Sequence, residues 1–395
     1  MRGRQGKHAE LMNGHSATSH RSRWKLVSKA LCGLLAALAV SAVQSSPHYP
    51  GSDLIALSQP LTIKWQYQSD QTSNLTPASD RTTVFLPLGS GTLIALNAVD
   101  GKLIWRAEAG GEFSAAPTTD ERIVYAATQY SETQQGRVHG TLRALSKTTG
   151  VTLWMRTLPA PLGGSLIAGD KALFAGSADG RVYAFDKQTG LTLWINQYSQ
   201  AFSSELSLAG QMVYVGSEGG TLFALHQTNG QLGWLYRTQG AIHGPIAISS
   251  GIVYFGSGDG YVYAFSELHA KLLWRHRTGA AVQSVAAVDN CLLAASLDNF
   301  VYCLSLRKGD LLWRRQLPGR IPARPFTAAD GALFTPLSTD SAIVLGLRDG
   351  KPANTLSLGE ENSSSAAPIA VENMVLVTTS HGLIAFAAPQ RSPTP

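Results

Sequence analysis

GPIAISSGIVYFGSGDGYVYAFSELHAKLLW, residues 244–274, carries four strand signals in a row. Ile246-Ala247-Ile248 is a short apolar run after Pro245. Ile252-Val253-Tyr254-Phe255 is β-branched and aromatic, the composition that fits a pleated, half-buried surface. Asp259-Gly260 forms a turn pair, since glycine reaches positive φ without steric cost. Tyr261 to Phe265 then alternates as a strand does, and Leu272-Leu273-Trp274 opens a fourth strand. No helical period runs through the stretch.

The stretch is one copy of a repeat. Trp65, Trp105, Trp154, Trp194, Trp234, Trp274 and Trp313 are separated by 40, 49, 40, 40, 40 and 39 residues. Five of them end an 11-residue phrase that begins with Ala, as in ALNAVDGKLIW from Ala95 to Trp105; a sixth copy starts at Cys303. Turn pairs recur at matching offsets: Ser90-Gly91, Asp179-Gly180 and Asp259-Gly260 between the second and third strands, and Asp100-Gly101, Thr189-Gly190 and Asn229-Gly230 between the third and fourth. Four short strands per period of about 40 describe a β-propeller blade. Each tryptophan is then a blade-docking residue, burying roughly 150–250 Å² against the neighbouring blade.

Asn354 holds an eighth register position, and three strands follow it, at Ala366 to Ile369, Met374 to Val377 and Leu383 to Phe386. The missing fourth strand is available at Leu61 to Trp65. The expectation is an all-β fold: an eight-bladed β-propeller of four-stranded antiparallel blades, the N-terminal strand closing the last blade. Such closure hides strand edges that invite aggregation.

Residues 60–388 are expected to form the propeller, 43–59 a linker and 389–395 a polar tail. Residues 1–42 read as a signal peptide or an N-terminal anchor. Seven Lys/Arg precede the apolar run Ala30 to Val40, and Val40-Ser41-Ala42 offers the small residues of a cleavage site. Cleavage predicts a mature chain starting near Val43, in the periplasm or cell envelope. Lys29-Ala30-Leu31 before Cys32 does not suit lipidation. The charge of +6 belongs to this leader: residues 43–395 hold 25 basic and 25 acidic groups. Nucleic-acid binding through phosphate neutralisation is therefore disfavoured. Cys291 and Cys303 lie about two residues out of register on adjacent strands and read first as small buried hydrophobes, with a disulfide as the alternative.

No G-x-S-x-G, H-E-x-x-H, phosphate loop or G-x-G-x-x-G occurs. His269 and His276 flank Trp274 without a third metal-type neighbour. Asp100, Asp179, Asp259 and Asp349 each precede a turn glycine, which explains them structurally. No catalytic, cofactor-binding or metal-binding residue is expected. Two features exceed the structural minimum. The long interval inserts about nine residues around Tyr130 to His139. The segments entering the innermost strands should ring one mouth of the central channel, making Phe113, Phe202, Ile242, His243, Arg320 and Arg324 a candidate partner-binding rim.

The phrase A-x-x-x-x-x-G-x-x-x-W, repeated along nearly all the chain after the leader, resembles the PQQ-type repeats of the quinoprotein dehydrogenase and BamB-like family. The dehydrogenase branch implies an adjacent cysteine pair, calcium ligands and a catalytic aspartate, and this chain has no Cys-Cys pair. The compact form resembles the BamB branch, which implies a non-enzymatic scaffold of outer-membrane β-barrel assembly. That branch implies protein partners in the envelope; membrane association is expected to be indirect or, by the reading of residues 1–42, through an uncleaved N-terminal anchor. The alternatives are an exported propeller binding another protein or a polysaccharide, and a quinone-dependent dehydrogenase.

Overall fold

The computed structural model describes residues 55–73, 75–131 and 138–389. The leader, residues 43–54 and residues 390–395 lie outside them. Among the described residues there are 32 strands and no helix. Six sheets have four strands and one has eight; the larger is two four-stranded antiparallel meanders touching at one parallel bridge, Ser165 to Ala116. Repetition of a four-stranded antiparallel unit makes the fold a β-propeller.

The Ala-to-Trp phrase is a cross-strand pair. Ala95 lies opposite Trp105, Ala144 opposite Trp154, Ala184 opposite Trp194, Ala224 opposite Trp234 and Ala264 opposite Trp274. A small side chain there makes room for the indole. A register shift follows in every copy, so the outermost strand carries an extra residue and bends.

The indole then docks on the next four-stranded unit. Trp105, Trp154, Trp194 and Trp274 donate from Nε1 to the carbonyls of Lys147, Lys187, Gln227 and Leu306, at 2.8–3.0 Å. The ring lies on a turn glycine with φ near +70°: a Cβ on Gly190 would stand 2.5 Å from the Trp154 ring. One joint departs from the rule. Ala270, at φ 48°, occupies the glycine position opposite Trp234. Trp234 is only half-buried and stacks on Phe265 at 18° between planes.

An early strand pairs with the last described one. Thr62–Gln68 pairs antiparallel with Gly382–Ala387, placing Trp65 opposite Ala385, and Trp65 Nε1 donates to the Ala98 carbonyl. Asn354 lies opposite Val344 and uses its amide to donate to the Leu57 and Gln59 carbonyls. Asp330 accepts from the Leu57 and Ser58 backbone N–H groups. Residues 55–59 are therefore not linker: Ile55 and Leu57 are buried in a core with Leu333, Val344 and Phe386. The cysteine reading is also corrected. Cys291 faces Ser305 while Cys303 faces Leu293, a diagonal with Cα atoms 5.5 Å apart, and the two are joined as a disulfide.

Candidate interaction face

In a four-stranded meander, the turn between strands two and three and the loop to the next sheet emerge on the same side. Backbone bonds knit these two sets together: Glu218 N–H to the Ala201 carbonyl, Gly258 to Ala241 and Leu297 to Ala281. Side chains entering the first strands are therefore held against the neighbouring turn on this loop face.

The six rim residues separate into three groups. Phe202 and Ile242 are buried, at 1% and 0% exposure, and are not rim residues. With Leu162, Val282 and Ile321 they form a repeated plug beneath the turns; Phe202 and Ile242 donate their N–H to the Ser177 and Ser217 carbonyls. A strand-end glycine makes the space, since a Cβ on Gly216 would collide with the Ile242 side chain. Phe113 is half-buried against the Phe85 and Trp105 cluster. His243 and Arg320 are exposed.

Arg324 points inward. Its Nη1 lies 3.8 Å from Glu205 Oε2, with side chains 19% and 32% exposed. Glu205 precedes the first strand of the sheet containing Ser207–His226, and Arg324 that of the sheet containing Phe326–Leu345; two other sheets intervene in the chain. The pair thus reaches across the axis of the propeller. Both residues stand eleven positions after a docking tryptophan, a shared repeat position that could have paired them from sequence.

His243 meets two partners. Its Nδ1 is 3.2 Å from Glu218 Oε1 and 3.4 Å from Ser203 Oγ, and Ser203 also donates to Glu218. A relay needs acid and nucleophile on opposite ring nitrogens, so that one orients the proton the other gives up. Here both lie on Nδ1, and the arrangement is a hydrogen-bonded cluster between adjacent loops. Ser203 and His243 are 40 residues apart, one repeat period. Among the described residues, no group of three His, Cys, Asp or Glu could hold a metal ion.

The insertion extends a hairpin on this face. Pairing between Ile123–Ser131 and Val138–Ser146 runs out to Tyr130 opposite His139 and Ser131 opposite Val138. The Tyr130 and His139 rings stack 5.6 Å apart, with Tyr130 38% exposed.

Comparison with known proteins agrees with this architecture. The chain is 35% identical over 105 residues to outer membrane protein assembly factor BamB of Shewanella oneidensis, a match spanning 25% of this chain and 24% of that protein. It thus spans about a quarter of the length of that relative. The fold is shared with BamB from Moraxella catarrhalis, at TM-score 0.70 and 16% identity over 83% of this chain and 99% of that one. It is likewise shared with the quinohemoprotein alcohol dehydrogenase from Comamonas testosteroni, at 0.68 and 10% over 85% and 78%. The PQQ-like repeat family described as outer membrane protein assembly factor BamB matches residues 51–194 and 178–296, well over half of the sequence. The chain belongs to that family.

Proposed function

We propose that this protein is an exported, non-enzymatic scaffold of the cell envelope: a ring of eight blades whose loop face docks a protein partner in outer-membrane assembly. The eight-blade count is supported by eight four-stranded antiparallel units. Ring closure is supported by Trp65 opposite Ala385, which forms between an early and a late strand the Ala–Trp cross-strand pair that five other copies make internally.

The observation that carries the scaffold reading is how the polar groups of the loop face are spent. Glu205 is paired with Arg324 across the axis, and His243 with Glu218 and Ser203. These contacts favour a rigid contact surface over a substrate cleft with poised groups. A calcium-bound quinone at the axis would need clustered carboxylates, whereas among the described residues no three His, Cys, Asp or Glu are grouped to hold a metal ion, and Glu205 there is paired with Arg324. Exposed Arg320, His243 and the Tyr130 hairpin supply arginine and aromatic contact types.

Affinity capture of the tagged chain from envelope extract tests the reading. Recovery of outer-membrane assembly proteins is expected; recovery of an unrelated protein or a polysaccharide supports the alternative. Incubation with pyrroloquinoline quinone and calcium is expected to give no alcohol or sugar oxidation, and turnover would overturn the non-enzymatic assignment.

A further inference from the structure

The outermost strands carry a feature that the loop-face reading does not use. In each of these strands the residues on the side opposite the docking indole are exposed. In Leu232–Arg237, Lys271–Arg277 and Leu311–Gln316, belonging to three consecutive sheets, that side presents Leu235 and Arg237, Leu273 and Arg275, and Leu312 and Arg314. The three leucines are 38%, 45% and 54% exposed. Arg277 extends the middle row. Among the described residues, none of these four guanidinium groups lies within ion-pair distance of a carboxylate. The equivalent strand Leu103–Glu108 differs, since Arg106 is paired there with Glu108 at 3.0 Å.

Two of the arginines are held in place. Arg275 lies 4.8 Å over the Tyr261 ring and Arg314 5.2 Å over Phe300, aromatic residues of the adjacent inner strand. Stacking satisfies the flat face of a guanidinium and leaves its in-plane N–H donors free for an anion with two oxygens. Charge on an outer strand also protects its edge from pairing. That role asks for charge of either sign, and it explains neither the single sign, the aromatic seats nor the leucines between the arginines.

We propose that this side of the propeller is a membrane-contact belt that takes the headgroups of anionic phospholipids, with the leucines entering the interfacial layer. The partner is fixed by charge complementarity: a protein with equal numbers of acidic and basic groups beyond its leader concentrates unpaired arginine here, beside exposed leucine. A laterally extended anionic surface that also accepts aliphatic side chains is a bilayer interface. The belt lies on the side of the blades and the loop face on their rim, so both can be engaged together. Each basic group near an anionic bilayer contributes roughly fivefold in affinity.

Vesicle flotation of the full chain tests the proposal. Vesicles of phosphatidylcholine with about a third phosphatidylglycerol are compared with phosphatidylcholine alone, so binding through the apolar leader is common to every arm. The wild type should favour anionic vesicles by tenfold or more and lose that preference at high salt. The double variant Arg275→Glu/Arg314→Glu should lose it at low salt. Lys102→Glu/Lys351→Glu, of equal charge change on the opposite rim, should retain it. Matching thermal melts keep the comparison within folded protein. A wild type without lipid preference, a belt variant that binds as the wild type does, or an equal loss in both double variants overturns the proposal. So does a belt that captures an acidic protein while ignoring the vesicles.

Discussion

Gly190 shows how one residue sets a blade joint. Its φ of +68° is strained for any other residue, and its missing side chain leaves the space into which Trp154 packs. Gly190→Ala should cost about 1–3 kcal/mol, read as a shift in the denaturant midpoint with unchanged slope. Ala270 poses the converse problem, and Ala270→Gly should stabilise by about 0.5–1 kcal/mol because the backbone already sits at positive φ. A destabilised Ala270→Gly would mean that Trp234 depends on the Ala270 methyl. At this scale the sequence was partly legible. The tryptophans were readable because bulk and spacing define them. Phe202 and Ile242 were misassigned because an apolar residue entering a strand looks the same in sequence whether a glycine turn covers it or leaves it open. Glu205 went unnoticed because its partner lies more than a hundred residues away and only the repeat offset connects them.

Among elements, the turns couple neighbouring sheets electrostatically. Lys147 lies 2.6 Å from Asp80 and Lys187 3.3 Å from Asp120. Burial pushes both carboxyls up, but other contacts outweigh it and hold both below the usual carboxylate range. For Asp80 these are Lys147 and the N–H groups of Thr82 and Thr83; for Asp120 they are the N–H groups of Arg122 and Ile123, the Tyr125 hydroxyl and Lys187. A depressed carboxyl pKa contributes stability that is complete above the unfolded value, about pH 4, and is lost as pH falls through the folded value. The melting temperature should therefore fall below about pH 4, and less steeply in an Asp80→Asn/Asp120→Asn variant. Equal slopes would exclude these two joints as a source of the acid sensitivity.

The strand Thr62–Gln68 supplies the second test among elements. Without residues 60–67, the strand Gly382–Ala387 loses its outer partner, and Leu383, Ala385 and their neighbours border an open edge. The deletion should lower the melting temperature markedly and promote aggregation; a deletion that melts like the intact chain contradicts closure. The four-strand unit was legible because period and turn chemistry are local. The role of residues 55–59 was not. Their burial depends on Asp330 and Asn354, far along the chain, and no local pattern announces it.

For the whole molecule, balanced charge beyond the leader conceals local differences: Lys102–Asp100 and Lys351–Asp349 pair at turns, whereas among the described residues the arginines on the outer strands of three consecutive sheets lie outside ion-pair distance of a carboxylate. Export is checked by N-terminal sequencing of protein recovered from the envelope. A start near Val43 is expected, whereas an intact leader would make residues 1–42 an anchor. The repeat made the β-propeller legible, while the burial of Phe202 and Ile242 and the exposure of His243 and Arg320 were not, since the loops converge in space and not in sequence.

The most direct test of the scaffold assignment is the affinity of the intact protein for its captured envelope partner, measured for two pairs of exposed substitutions. Arg320→Glu/His243→Asp alters the loop face without touching the buried Ile242, and Asp100→Lys/Asn229→Lys alters the opposite rim. The loop-face pair should weaken binding by tenfold or more, with a melting temperature close to wild type, and the opposite pair should leave affinity unchanged. Full affinity in the loop-face pair together with loss in the other would contradict the account.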